Sequence, residues 1–236
     1  MVSAIVVSAG KGVRMNTSMR KQYILLGGYP VLYHTLMAIN ASSAVDEMIL
    51  VVPEGDVDFC SKNIIQRANL SKKIRLVSGG SKRQISVYNG LKAVDEKSRI
   101  VLIHDGVRPF IRHEQIDACI KGAEESGACI LGLPVYDTLK IVHQSCWINK
   151  TIQRDAVWLA QTPQAFQYSL IMNAHENAKK QGLTGTDDAS LVEMLGQKVR
   201  IIEGTRHNIK ITTKEDLEWA RMLMNKSNFL DPPVYP

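Results

Sequence analysis

The run Val2-Ser3-Ala4-Ile5-Val6-Val7 passes without a break into Ser8-Ala9-Gly10-Lys11-Gly12-Val13-Arg14-Met15. The first six residues are largely apolar on both faces, as strands buried inside a parallel sheet are. The next eight form a basic glycine loop at the strand's carboxyl end, where open α/β sheets bind their ligands. Working outward, the same unit recurs. Strand-like runs at Glu47–Val52, 73–77, 100–104 and Ala128–Pro134 alternate with helical patterns at 30–40, 57–68, 83–94 and 113–125. This alternation predicts right-handed βαβ units and an α/β fold with a doubly wound, mostly parallel sheet.

After Pro134 the alternation breaks. Residues 136–154 carry Leu139, Ile141, Val142, Trp147, Ile148 and Ile152 among polar neighbours. That pattern predicts a protruding β-hairpin arm turning near Gln144-Ser145. Gln161-Thr162-Pro163-Gln164-Ala165-Phe166 reads as a polar loop. Helices are expected at Tyr168–Gln181 and 187–195, and strands at 198–202 and 208–212. Thr213 is placed to cap a last helix through Met224, with Glu215 and Asp216 in its first turn. The simplest partition is one domain over 1–226, arm included, with a loose tail at 227–236.

An apolar content of 45% over 236 residues is enough for a sizeable core. No apolar run reaches the roughly 18 residues that a membrane span needs. The first strand begins almost at Met1, which leaves no room for a signal or transit peptide and predicts a cytoplasmic protein. Cys60, Cys119, Cys129 and Cys146 include no C-x-x-C pair, against a thiolate metal site or a disulfide framework. The net charge of +6 admits a nucleic-acid binder, but the positions of the cations favour another reading. Lys11, Arg14, Arg20 and Lys21 share one early loop, Lys82 and Arg83 follow Gly79-Gly80, and Arg108 follows a strand. Cations at strand ends suit a compact phosphate pocket, and neither a stacking-aromatic strand motif nor a recognition-helix motif is present.

In the first loop, glycines let backbone N–H groups approach phosphate oxygens, so Ala9, Gly10 and Gly12, with Arg14 and Lys21, are candidates for a triphosphate site. G-x-x-x-x-G-K-[ST] is absent, and Met15 stands at the third glycine of a dinucleotide fingerprint, which argues against a Rossmann oxidoreductase. The second loop, Gly79-Gly80-Ser81-Lys82-Arg83-Gln84-Ile85-Ser86, opens a helix, and helix N-termini favour anions. Gly80, Ser81 and Arg83 lie there, and Ser86 sits a turn further on with a hydroxyl available to a ligand. In the third, His104-Asp105-Gly106-Val107-Arg108, a carboxylate ends an apolar strand and is costly without a partner. A Mg²⁺-triphosphate would be one such partner, and Arg108 could grip a phosphate. His104 is expected to be packed and is given no chemistry. Taken singly, Thr138, Arg154, Asp187 and Lys210 are ordinary structural residues.

Taken in order, the motifs resemble a known family. They are A-G-K-G-x-R-M, K-Q-Y, P-V-x-x-H-T-L, G-G-x-x-R-x-x-S-V, H-D-x-x-R-P-F, D-T-L-K, R-x-x-x-W-x-A-Q-T-P-Q-x-F, T-D-D-A-S and N-I-K-I-T-x-x-E-D-L, from Ala4 to about Leu223. The set is similar to that of the 2-C-methyl-D-erythritol 4-phosphate cytidylyltransferases, of non-mevalonate isoprenoid synthesis. The resemblance implies a Rossmann-like nucleotidyltransferase fold, a homodimer interlocked through the arm, CTP as co-substrate and Mg²⁺ or another divalent cation. It implies that Arg14 and Lys21 grip the triphosphate, and that Gly80, Ser81 and Ser86 meet cytosine beside Ala9 and Gly10. Asp105, Arg108, Thr138, Arg154 and Lys210 are implied to hold the methylerythritol phosphate, with Asp105 also a candidate metal ligand and Asp105 and Lys210 counted among the catalytic residues. Two positions depart from the pattern: Arg20 stands where Pro is usual, and Ser81 where an acid is frequent. The rival within the same chemistry is ribitol 5-phosphate cytidylyl transfer; the W-x-A-Q-T-P-Q and T-D-D-A-S-L-V-E stretches favour the methylerythritol reading.

Overall fold

The computed structural model describes residues 1–10 and 20–225. Among them the strands are β1 (Val2–Val7), β2 (Leu25–Leu26), β3 (Tyr29–Pro30), β4 (Glu47–Val52), β5 (Lys73–Ser78), β6 (Ile100–Asp105), β7 (Ala128–Pro134), β8 (Leu139–Val142), β9 (Ile148–Ile152), β10 (Trp158–Gln167) and β11 (Arg200–Glu203). The helices are α1 (Val31–Ala41), α2 (Val57–Cys60), α3 (Gln66–Ala68), α4 (Arg83–Leu91), α5 (His113–Ser126), α6 (Tyr168–Gln181), α7 (Asp188–Glu193) and α8 (Lys214–Asn225). No helix among the described residues is long and apolar enough to cross a membrane.

Seven of these strands form one sheet in the order β11-β7-β10-β6-β1-β4-β5. β1 runs parallel to β4 and β6, β4 to β5, and β7 to β11, while β10 is antiparallel to both of its neighbours. Every residue of β4 and β6 is buried, which requires cover on both faces. One face packs on α1 and α5 through Leu32, Leu36, Ile116 and Ile120. The other packs on α4, α6 and α7 through Val87, Leu91, Ile171 and Val192. Each fully buried Leu or Ile contributes about 1.5–3 kcal/mol from desolvation. A smaller core beneath α8 gathers Leu26, Val107, Phe110, Ile211 and Leu223. It fastens the late chain to the loop after β6.

Three expectations are corrected. Gln161–Phe166 is no loop but part of β10, at the centre of the sheet between β6 and β7. Its polar residues are buried because each finds a partner: Gln164 Nε2 donates to Asp187 at 2.7 Å, and Gln161 Nε2 to the Thr205 carbonyl at 3.0 Å. Residues 208–212 join no ladder; a backbone bond from Ile211 N–H to the Val107 carbonyl (2.9 Å) ties them to the loop after β6 while Ile211 fills the third core. The helix expected over 57–68 is interrupted by a π-helical stretch, Ser61–Ile65, between α2 and α3. The arm forms as β8 and β9. Its apolar residues Ile141, Val142, Trp147 and Ile148 are all exposed, Trp147 to 75%. The tail at 227–236 lies outside the described residues.

Candidate active site

β1, β5 and β6 are parallel and end on the same edge, so the loops after Val7, Ser78 and Asp105 converge there. Two glycines permit the close approach. A Cβ on Gly79 would lie 2.3 Å from that of Ala9, and one on Gly80 would lie 2.2 Å from Ile85 Cγ2. Gln22, buried directly after Lys21, donates from Nε2 to the Ser8 carbonyl at 2.8 Å. It thus ties the short helix holding Lys21 to the end of β1. Arg14 and Gly12, with the rest of that loop, lie outside the described residues. Ser86 lies against the turn at Gly79 and Gly80. It is buried, and its hydroxyl accepts the Gly80 N–H at 3.0 Å and donates to the Lys82 carbonyl at 3.1 Å. It shapes the glycine turn. Ser81 is exposed.

Asp105, at the end of β6, is the electrostatic centre. Lys210 Nζ lies 2.8 Å from its Oδ2, Arg108 Nε 3.5 Å from the same oxygen, and Arg83 Nε 3.4 Å from Oδ1. Burial pushes the carboxyl up, but Arg83, Lys210 and Arg108 outweigh it and hold it well below the usual carboxylate range. Arg83 also reaches back, placing Nη1 2.7 Å from Oδ2 of the buried Asp188. Three cations against two carboxylates leave one positive charge in excess, suited to anionic substrates. Lys210 is the most exposed of the three cations, at 37% of its side chain. Arg108 is buried and donates to the Asn208 carbonyl at 2.6 Å.

A small relay holds this group in place. The Asp105 N–H donates to Thr162 Oγ1 at 3.1 Å, and Thr162 Oγ1 lies 3.0 Å from His104 Nδ1. His104 Nε2 lies 3.1 Å from the Arg108 carbonyl. A carbonyl can only accept, so Nε2 carries the proton and Nδ1 accepts from the Thr162 hydroxyl. Burial lowers the ring's pKa to about 4, so it is neutral at ordinary pH. The motifs by themselves point to no role for Thr162, Asn208 or Asp188. Thr162 and Asn208 lie in segments whose local pattern points to a loop and a strand that do not form there, and Asp188 stands beside Asp187, whose carboxylate caps α7.

Among the described residues the side chains do not by themselves build a complete cage for a divalent cation. No group of three His, Cys, Asp or Glu side chains converges among the described residues. Asp105, the expected ligand, has both oxygens against cationic groups. Nor does the fold of one chain bring the arm into the cluster. Thr138 and Arg154 are exposed, and Arg154 donates to the Tyr136 carbonyl. Neither is joined to Asp105, Arg108 or Lys210 by any hydrogen bond or ion pair.

The family of 2-C-methyl-D-erythritol 4-phosphate cytidylyltransferases matches residues 2–226. A relative of that name from Pelotomaculum thermopropionicum is 44% identical over 223 residues, 94% of each chain. Another from Syntrophus aciditrophicus is 47% identical over 225 residues, 95% of this chain and 96% of the relative. The solved structure of 4-diphosphocytidyl-2C-methyl-D-erythritol synthase from Anaerococcus prevotii superposes with a TM-score of 0.84 at 37% identity, covering 95% of this chain and 96% of that one.

Proposed function

The chain belongs to the 2-C-methyl-D-erythritol 4-phosphate cytidylyltransferase family, and from that membership we propose which of its residues carry the transfer. The reaction joins the acceptor's phosphate to the CMP moiety of CTP, giving 4-diphosphocytidyl-2-C-methyl-D-erythritol and pyrophosphate. The observation that carries the assignment is the Asp105 cluster, with its excess positive charge, at the carboxyl edge of the parallel strands. CTP lies along Ala9, Gly10 and Gly12 and the turn at Gly80 and Ser81, with Lys21 and Arg14 on its phosphates. Asp105, being ionised, accepts from acceptor hydroxyls, while Lys210 and Arg108 supply positive charge beside the acceptor's phosphate. Residues 1–226 act as one domain, in the cytoplasm, where CTP is made.

An oxygen of the acceptor's phosphate attacks the α-phosphorus in line, and pyrophosphate leaves. The attacking group is already an anion, so no side chain has to serve as nucleophile or base. The barrier is the approach of two polyanions and the charge that builds on the α-phosphate, and fixed cations lower it. One such cation is worth about 10²–10⁵-fold in rate. Any divalent cation enters with the triphosphate, as part of the substrate.

Thr138 and Arg154 reach a substrate through a homodimer in which the arm of one protomer meets the site of the other. Support comes from the exposed apolar face of the arm, since large exposed apolar patches mark interaction surfaces, and an isolated hairpin is marginal in water. Pyrophosphate release is the test of function, measured with CTP plus methylerythritol phosphate, CTP plus ribitol 5-phosphate, and CTP alone. Release must require an acceptor and favour methylerythritol phosphate; equal or better release with ribitol phosphate would overturn the assignment.

A further inference from the structure

Asp188 is a buried carboxylate that the transfer does not itself use. It is 1% exposed and opens α7. Its position is fixed from three sides. Gln164 Oε1 accepts the backbone N–H groups of Asp188 and Ala189 at 3.2 and 3.1 Å. His175, also buried, brings Nε2 to 3.3 Å from Oδ1 and has no hydrogen-bond partner there. Arg83 Nη1 lies 2.7 Å from Oδ2, a close ion pair that falls outside hydrogen-bond geometry. Arg83 is shared: the guanidinium that meets Asp188 at Nη1 meets Asp105 at Nε. A long, flexible side chain at the first turn of α4 is thereby spanned between two carboxylates from opposite parts of the chain.

We propose that Asp188, backed by His175, is a positioning residue for the transfer: it holds Arg83 in the place that sets the charge and orientation of Asp105, and so the seat of the acceptor. Burying a carboxylate is expensive even when it is paired, and apolar residues in place of both partners are often no less stable. What an ionised group at this position adds is a fixed opposite charge, 2.7 Å from Arg83 Nη1, that draws the guanidinium to one place. Without Asp188, Arg83 keeps only its 3.4 Å contact with Asp105 and swings with its stem. Misplacement of about 1 Å at a reacting centre costs on the order of 100-fold in rate.

The inference rests on the assignment of Asp105 to the acceptor, and its test keeps the two apart. Asp188→Asn, Arg83→Gln and the double variant form a cycle, read in kcat/KM and, by calorimetry, in Kd for methylerythritol phosphate. Each single variant should lose about 10- to 100-fold in kcat/KM, with KM for the acceptor rising and KM for CTP unchanged. The double variant should lose no more than Arg83→Gln alone, since Asp188 acts through Arg83. If Asp188→Asn does not fold, Arg83→Gln against the double variant, in which the charges balance again, gives the same comparison. Losses that multiply, or equal rises in both KM values, would overturn the positioning role. An intact acceptor Kd cycle in a wild-type enzyme that transfers nothing would overturn the catalytic assignment and leave the brace standing.

Discussion

Lys210 Nζ lies 2.8 Å from Asp105 Oδ2, although Lys210 belongs to a segment with no strand of its own. The contact exists because Ile211 is locked into the core beneath α8 and bonded to the backbone of Val107. Late chain and β6 therefore meet at an ion pair whose lysine side chain is still partly exposed.

Lys210→Gln should fold normally and lose about 100-fold in kcat/KM, the usual loss of one pre-organised charge-stabilising group. Circular dichroism checks the fold and steady-state kinetics the rate. Turnover near wild type would remove Lys210 from the catalytic set.

Thr162→Val keeps the volume of the side chain and removes the hydroxyl that links Asp105 to His104. Two buried polar groups, the Asp105 N–H and His104 Nδ1, are orphaned. The expected cost is about 1–3 kcal/mol for each, read by urea unfolding, together with a fall in kcat/KM as the loop holding Asp105 and Arg108 loosens. Unchanged stability would mean that the relay carries no strain-free bond worth keeping.

Stability should fall on acidification. The folded pKa of His104 is lowered by burial from 6.5 to about 4, so between those values the unfolded chain binds the proton more readily. The stability is fully present above pH 6.5 and is lost as pH falls toward 4, by about 3 kcal/mol. Asp105, depressed below the ordinary carboxylate range, adds a further loss below pH 3.8. Urea unfolding at pH 7.5, 5.5 and 4.5 gives the slope, to which His34, lowered by its own burial, adds, and His104→Gln should reduce it between 6.5 and 4. A slope that His104→Gln leaves unchanged would point to other groups.

Arg154→Ala and Lys21→Ala, each nearly inactive, should complement when mixed under subunit exchange. A shared site gives mixed dimers with one intact site, and about a quarter of wild-type activity in a random mixture. No recovery, with exchange confirmed by a labelled subunit, would place Arg154 in its own chain's site.

Local pattern made much of this legible. β1, β4, β6 and β7 are continuous apolar runs, and α6 is bounded by its own periodicity, so composition and position agree. β10 escaped because Gln161, Thr162 and Gln164 read as solvated, while their partners lie 23 to 58 residues away in the chain. The site divided in the same way. Asp105, Arg108 and Lys210 stood out as charges at strand ends or in motifs. The hydroxyl, amide and buried carboxylate that orient them did not, because a residue that acts through another has no signature until the two are neighbours in space.

The placement of β10 has a consequence for synthesis. β6 and β7 follow one another through α5, yet they are separated in the sheet by the width of a strand that is translated later. Until residue 167 has left the ribosome, the two strands face an unfilled slot, each with a row of unpaired N–H and carbonyl groups. Open edges of this kind are templates for pairing with other chains. The emerging polypeptide is thus most vulnerable to aggregation after β7 and before β10, the interval in which the arm is made, and fragments ending there should be bound by chaperones or insoluble.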